Sequence, residues 1–315
     1  MFGKSYGRLK ILVILFPIIA GVFSTVFGLI AYGRAQTFNR EDRPITTGFL
    51  VFSSMELHSF NMSIQIIELD FELDRSGKSL IMFDFESTSP LTGEQVMGFQ
   101  FPYVLEEFEF MKSDVPVTEK EILKENITRP DTGLVPTGVA ILYFRFVANP
   151  EKTHYSFSAS IKWSGLLSKT EYATYKLVIP FARDQRALRS SITNLFPNAK
   201  IRYITQNEGD HVSVQVTAAA SLKAAYPLPT SVMGFHEYNI QMLTWELGYH
   251  DSTVTGMQAT LDEVVAYFEI SSEAEQRNRY LYEAGIYSGL GVSLLFSGIY
   301  EALKVLEESR RRTRS

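Results

Sequence analysis

The residues able to do chemistry are scattered along the chain. The five histidines, His58, His154, His211, His236 and His250, stand apart, with neither a His-Glu-x-x-His nor a His-x-His spacing, and there is no cysteine. That removes disulfides, thiolate metal sites and thiol nucleophiles together. No Gly-x-Ser-x-Gly elbow or phosphate-cradling glycine loop opens a helix after a strand, because the glycine-rich run from Gly285 to Gly291 lies inside an apolar segment. The sequence therefore assigns no catalytic, cofactor-binding or metal-ligating residue and implies no cofactor.

One polar constellation comes from a predicted hairpin. Phe60, Met62, Ile64 and Ile66 alternate with polar residues, then Ile67, Leu69, Phe71 and Leu73 do the same one position out of phase. Such a slip moves the apolar set to the other face, so a β-bulge or a strand break is expected at Ile66-Ile67. A three-residue loop Arg75-Ser76-Gly77 would set Leu73, Phe71, Leu69 and Ile67 opposite Ser79, Ile81, Phe83 and Phe85 and bury the apolar side chains. It also places Glu68 opposite Asp84, with Asp70, Glu72 and Glu86 on the same face. Two readings follow: a hard cation held by carboxylates, or a solvated acidic face offset by Lys78. Asn61-Met-Ser and Asn126-Ile-Thr match the glycosylation acceptor, with Asn126 expected in a polar loop.

The most regular spacing belongs to small residues. Gly285, Gly289, Ser293 and Ser297 recur every fourth position, and Ala20, Ser24 and Gly28 do the same near the start of the chain. Ridges of small side chains let helix backbones approach closely. The expectation is that the two ridges pack on each other, within one chain or between copies.

The elements carrying these ridges are predicted membrane helices. From Ile11 to Tyr32 the sequence ILVILFPIIAGVFSTVFGLIAY holds 22 uncharged residues, about 33 Å of helix at about 1.5 Å per residue. Gly33-Arg34-Ala35 has the small-x-small form of a leader cleavage site, but the apolar run exceeds the 7 to 15 residues or so of a leader, so an uncleaved anchor is expected. Pro17 should kink it modestly. Ala284 to Tyr300 gives a second, shorter uncharged run of 17 residues flanked by Tyr280, Tyr282 and Tyr300. Its competing reading is a glycine-rich helix buried in a soluble body. Lys4, Arg8 and Lys10 precede the first run, and Lys304, Arg310, Arg311, Arg312 and Arg314 follow the second, so both termini are expected in the cytoplasm. Ser272-Glu273-Ala274-Glu275 reads as a capping box, and the second helix is predicted to run unbroken from about Glu273 to about Glu308.

Between the runs, residues 34 to 282 hold 22 Lys/Arg against 31 Asp/Glu, a net charge of −9, while the whole 315-residue chain carries −5. This balance excludes a basic nucleic-acid binder and a highly charged disordered chain. The stretch reads as strands. Val139 to Val147 is nearly continuous apolar, Asn149-Pro150-Glu151-Lys152 is turn-like, and Tyr155, Phe157, Ala159, Ile161 and Trp163 alternate with polar residues, a pattern that predicts a second hairpin. Further strands are expected at 175–181, 201–205, 212–216, 238–247 and 264–270. Thr118-x-x-Glu121 resembles the capping box of a short helix, and Asp184 to Leu195 is the best internal helix.

The expected fold is mainly β: an antiparallel, sandwich-like extracytoplasmic body flanked by N- and C-terminal transmembrane α-helices. The expected organisation is a cytoplasmic start (1–10), a first membrane helix (11–33), the body (34–279, divisible near 112–138), a second membrane helix (280–303) and a basic cytoplasmic tail (304–315). Such a chain suits a binding, scaffold or assembly protein of the cell membrane, its partners being the lipid bilayer and other envelope proteins or copies of itself. A sensor or accessory subunit of a membrane complex, and an extracytoplasmic hydrolase, are the alternative classes.

Overall fold

The computed structural model describes residues 3–36, 48–71, 75–127, 137–181, 192–203, 209–235, 240–248 and 263–314. They fall into two compact units: helices α1 (Gly3–Gln36) and α2 (Ser271–Arg314) with residues 171–173, and the β-rich body. Helix α2 is continuous over 44 residues, as its lack of internal Pro or turn residues requires.

The described residues of the body form three sheets. A five-stranded sheet takes β1 (Leu50–Ser53), β4 (Glu94–Phe101), β6 (Val117–Ile127), β7 (Thr137–Val147) and β11 (Lys200–Arg202) in the order β11-β1-β4-β7-β6. A seven-stranded sheet takes β2 (Leu57–Leu69), β3 (Gly77–Ser87), β5 (Val104–Ser113), β8 (His154–Ser164), β12 (His211–Ala218), β14 (Ser231–Phe235) and β15 (Ile240–Gly248) in the order β14-β15-β12-β2-β3-β8-β5. A four-stranded sheet takes β9 (Leu167–Glu171), β10 (Thr174–Pro180), β13 (Ser221–Tyr226) and β16 (Glu263–Glu269) in the order β13-β16-β10-β9. Among the described registers, pairing is antiparallel except where β12 lies parallel to β2, and a single parallel bridge joins Phe49 to Phe181.

The inward faces meet in one aromatic core. Phe83 of the seven-stranded sheet packs on Phe99 of the five-stranded sheet with ring centroids 4.7 Å apart, and Phe157 lies 5.1 Å from Phe144 in the same way. Phe71 joins the four-stranded sheet through Tyr175 at 5.3 Å. Offset and edge-on ring contacts of this kind add about 0.5 to 1.5 kcal/mol each beyond the area they bury. A smaller cluster on the outer face of the five-stranded sheet joins Leu50, Phe52, Ile141, Tyr143 and Ile192, with Phe196 packed against it.

The first hairpin forms with a different register from the expected one. Ile66 pairs with Ser79, Ile64 with Ile81, Met62 with Phe83 and Phe60 with Phe85, and a bulge between Ile66 and Glu68 absorbs the phase slip. Ile67 is the residue turned out, at 51% exposure, rather than buried. The longer connection, residues 70–76, is closed by the Asp70 amide donating to Ser76 O at 2.9 Å. The earlier alternation wins because its four apolar residues find apolar or small partners, and Glu68 then lies opposite Lys78 rather than Asp84. Gly77 is not left-handed. A side chain there would place Cβ 2.5 Å from Leu166 Cδ2 and 3.4 Å from Leu69 Cδ2. Gly77→Val is therefore expected to cost about 1 to 3 kcal/mol by overpacking. A thermal melt checks it, and an unchanged midpoint would contradict this packing.

The second expected hairpin is not one. β7 and β8 belong to different sheets, so the turn at Asn149 carries the chain across the sandwich. That turn is built by Asn149: its Oδ1 accepts from the Glu151 amide at 3.0 Å, its carbonyl accepts from the Lys152 amide at 3.0 Å, and Tyr155 Oη lies 3.1 Å from the Asn149 and Lys152 carbonyls. Thr118 and Glu121 start no helix; they lie in β6, paired along its length with β7. Asn126 is likewise in a strand rather than a loop. Of the helix expected at 184–195, residues 192–195 are helical and 184–191 lie outside the described residues.

Candidate functional site

The acidic constellation is dispersed by the observed register. Asp84 lies opposite Asn61 and Ser156, Glu86 opposite Ser59 and His154, and Glu68 opposite Lys78; Glu72 lies outside the described residues. Among the described residues no three His, Asp or Glu side chains converge as a metal site. His58, His154 and His211 are exposed, with His211 Nε2 3.1 Å from Glu246 Oε2, and His236 and His250 lie outside the described residues.

The two helices are the feature that sets this chain apart, and they pack antiparallel. Gly28 meets Ser288 and Ala284, Gly21 meets Gly291 and Leu295, and Gly298 meets Ile18. A Cβ at Gly291 would stand 2.6 Å from Thr25 N and 2.8 Å from Gly21 O, so the backbones touch where glycine removes the side chain. Ser24 Oγ donates to Tyr287 O at 2.8 Å.

The row of tightest contacts therefore runs through 18, 21, 25 and 28 on α1 and 288, 291, 295 and 298 on α2, an alternation of three and four, with Ser24, Ala284 and Tyr287 beside it. Of the expected ridges, Ser24 and Gly28 stand at the contact and Ala20 is half-buried beside it. Gly285 and Gly289 have no neighbouring atom within 4 Å of a built Cβ, Ser293 and Ser297 are exposed, and Ser293 Oγ donates to its own helix at Gly289 O. The α2 row sought at every fourth position faces away from α1. An every-fourth row advances about 40° per step around a helix of 3.6 residues per turn, whereas an alternating 3-4 row stays on one side.

Around this seam the side chains are apolar and exposed. Phe16, Phe23 and Leu29 on α1 and Leu290, Val292, Phe296 and Ile299 on α2 are exposed, while Phe27, also exposed, lies against Tyr287 of α2 with ring centroids 6.3 Å apart. Two stretches, Val13–Gln36 and Ser271–Arg311, are long and apolar enough to cross a membrane by length and composition. On α2 the ion pairs Arg279–Glu283 and Arg311–Glu307 lie at either end of the apolar region, at 3.1 and 2.6 Å.

Two polar assemblies in the body escaped the sequence reading. The first joins the five- and seven-stranded sheets. Arg202 Nε donates to both carboxylate oxygens of Asp210 at 3.0 and 2.9 Å, its Nη2 donates to Oδ1 at 2.6 Å, and its Nη1 donates to Leu57 O at 2.7 Å. The Phe60 amide also donates to Asp210 Oδ1, at 3.1 Å. The Asp210 side chain is wholly buried and that of Arg202 is 16% exposed. No local spacing signals this pair, because a lone charge at a strand end looks like any turn residue.

The second assembly lies on the outer face of the five-stranded sheet, where Tyr143 Oη donates to Glu121 Oε2 and Arg145 Nε pairs with Glu119 at 2.6 Å. The hydrogen bond to Glu121, then burial, pushes the Tyr143 phenol up to about 12. Its neutral form is favoured by folding, so the contribution is complete below pH 10 and is lost as pH rises towards 12. A Glu121→Gln variant is expected to move the titration of one tyrosine down from about 12, part of the way to the ordinary value because burial and Glu119 remain, and ultraviolet difference titration reads this directly. Identical curves for the variant and the parent would contradict the assignment.

No protein family matches the chain, and no curated protein matches it either. Among solved structures, a candidate nutrient-binding protein of Legionella pneumophila aligns with a TM-score of 0.38 at 12% identity, over 70% of this chain and 71% of its own. A mutant M1 zinc metallopeptidase of Deinococcus radiodurans aligns with a TM-score of 0.26 at 11% identity, over 75% of this chain and 45% of that one. At such scores neither likeness bears on the fold or the function of this chain.

Proposed function

We propose that this chain is a two-pass membrane protein whose β-rich body stands outside the cytoplasm and acts as a binding, scaffold or assembly module rather than as an enzyme. The observation that carries the reading is the helix pair. Its two backbones are in contact while its outward surface carries many exposed Phe, Leu, Val and Ile side chains. In water that surface would cost about 25 cal/mol for each Å² left exposed; in a bilayer core it costs nothing. The antiparallel pairing brings Gly3 and Arg314 to one end of the pair, and both flanking sequences there are basic, which favours the cytoplasmic side. The 22 Lys/Arg and 31 Asp/Glu of residues 34 to 282 are compatible with translocation, since long domains cross regardless of charge. The partners of the body are then other envelope proteins or further copies of the chain.

Protease added to intact cells tests the topology. The body is expected to be cut while tags at both termini stay protected. Cleavage of either terminal tag, or full protection of residues 48–270 after the outer barrier is opened, would overturn the reading.

A further inference from the structure

Every sheet has two edge strands, and an edge presents unpaired N–H and C=O groups that can accept another strand unless something blocks them. Among the described residues five of the six sheet edges are blocked in recognisable ways. β5 carries Glu106, Glu107, Glu109 and Lys112 and is broken by two register shifts. β6 carries Glu119, Lys120, Glu121, Lys124 and Glu125 and one shift. β9 holds Lys169 and Glu171, β11 is three residues long with Lys200 and Arg202, and β13 places Lys223 at a shift.

β14 has none of these devices. Its residues Ser231, Val232, Met233, Gly234 and Phe235 are uncharged and pair with β15 without a shift. Val232, Met233 and Phe235 are 55%, 51% and 53% exposed, so both faces of the strand are uncovered. The uncharged run extends back to Ala224 and includes Leu228 at 84% exposure. The segment before the strand is held in place: Trp245 Nε1 donates to Pro227 O at 2.8 Å, the Thr230 amide donates to Thr244 O at 2.7 Å, and the Glu246 amide donates to Thr230 Oγ1 at 3.1 Å. An open, uncharged and pre-positioned edge is the arrangement that strand addition requires.

We propose that β14 is where two copies of this chain join, by antiparallel pairing of β14 with β14 about a two-fold axis, an inference that rests on reading the body as a binding or assembly module. Self-pairing suits this strand for two reasons. An identical strand laid antiparallel brings no like charges together, which the charge-rich edges β5 and β6 do not allow. With Met233 on the axis, Val232 falls opposite Gly234 and Phe235 opposite Ser231, so each large side chain meets a small one on both sides of the axis. The two seven-stranded sheets then continue into one another.

The test uses the full-length chain in detergent. Light scattering is expected to give the protein mass of a dimer. Met233→Lys, which sets two ammonium groups face to face, is expected to weaken the dimer at least about tenfold while leaving the thermal melt unchanged, because the site is exposed. The chain has no cysteine, so single cysteines report on the register: Met233→Cys is expected to give a disulfide-linked dimer on mild oxidation, and Ser231→Cys, displaced from its mate, is not. A monomeric parent protein overturns the proposal. So does a dimer that survives Met233→Lys while Met233→Cys fails to link, since another surface would then hold the copies. A monomer that still captures a different envelope protein overturns self-pairing yet leaves the binding role standing. That role falls separately, through the protease experiment.

Discussion

Asp210→Ala should lower stability by about 3 to 5 kcal/mol, the largest single loss expected in the body. The substitution removes a wholly buried carboxylate and leaves the Arg202 guanidinium, 16% exposed, without the two oxygens it spans. It also frees the Phe60 amide, whose acceptor is Asp210 Oδ1. Because Arg202 reaches Leu57 O and His58 O as well, the loss extends to the start of β2 and so loosens one sheet from the other. Replacing both partners by leucine should cost less than removing Asp210 alone, since no buried charge is then left uncompensated. Urea titrations of the three variants check the order. A double variant weaker than Asp210→Ala would contradict this account.

Gly291→Leu should separate the helices. Its Cβ would fall 2.3 Å from Thr25 Oγ1, 2.6 Å from Thr25 N and 2.8 Å from Gly21 O, and two of those atoms are backbone that cannot swing aside. Ala31 and Ala284 are both buried at this seam, so Ala31→Cys with Ala284→Cys is expected to form a disulfide within the chain, visible as a gel shift. Adding Gly291→Leu should abolish the shift. Gly289→Leu should not, because nothing lies within 4 Å of its Cβ position. Equal damage from the two would show that the seam runs elsewhere.

Strand positions were legible from alternation alone, as with β8, β12 and β16, because side chains of a strand face opposite ways in turn. Partner choice was less legible. The capping-box pattern at Thr118 and Glu121 is a local signature, and ten residues of pairing with β7 outweigh it. The short turn at Asn149 suggests a hairpin, yet the nearly continuous apolar run of β7 carries the opposite message. Ile141 and Tyr143 pack on one side with Phe52 and Phe196, while Leu142, Phe144 and Phe146 fill the main core on the other. Only a strand covered on both faces needs that composition. The helix seam was half legible: small residues mark it on α1 at Gly28, but the period had to alternate three and four rather than repeat four. Arg202 with Asp210 and the edge position of β14 are both tertiary facts, one a meeting of two sheets and the other the lack of a further strand beside β14 among the described residues, and no window of sequence holds either.

The parallel contact of β2 with β12 has a consequence for how the chain comes to exist. Phe60 and Asp210 are 150 residues apart, so when β2 and β3 first emerge, the second edge of β2 waits for a partner not yet made. At about 5 to 20 residues per second, that wait lasts on the order of ten to thirty seconds. Throughout it the second edge of β2 keeps its N–H and C=O groups unpaired, the condition under which nascent chains stick to one another. Long-range closure of this sort also slows folding itself. Biogenesis of this protein should accordingly depend on a holding factor that shields the early hairpin, and cells short of such a factor should lose the protein before they lose faster-folding neighbours.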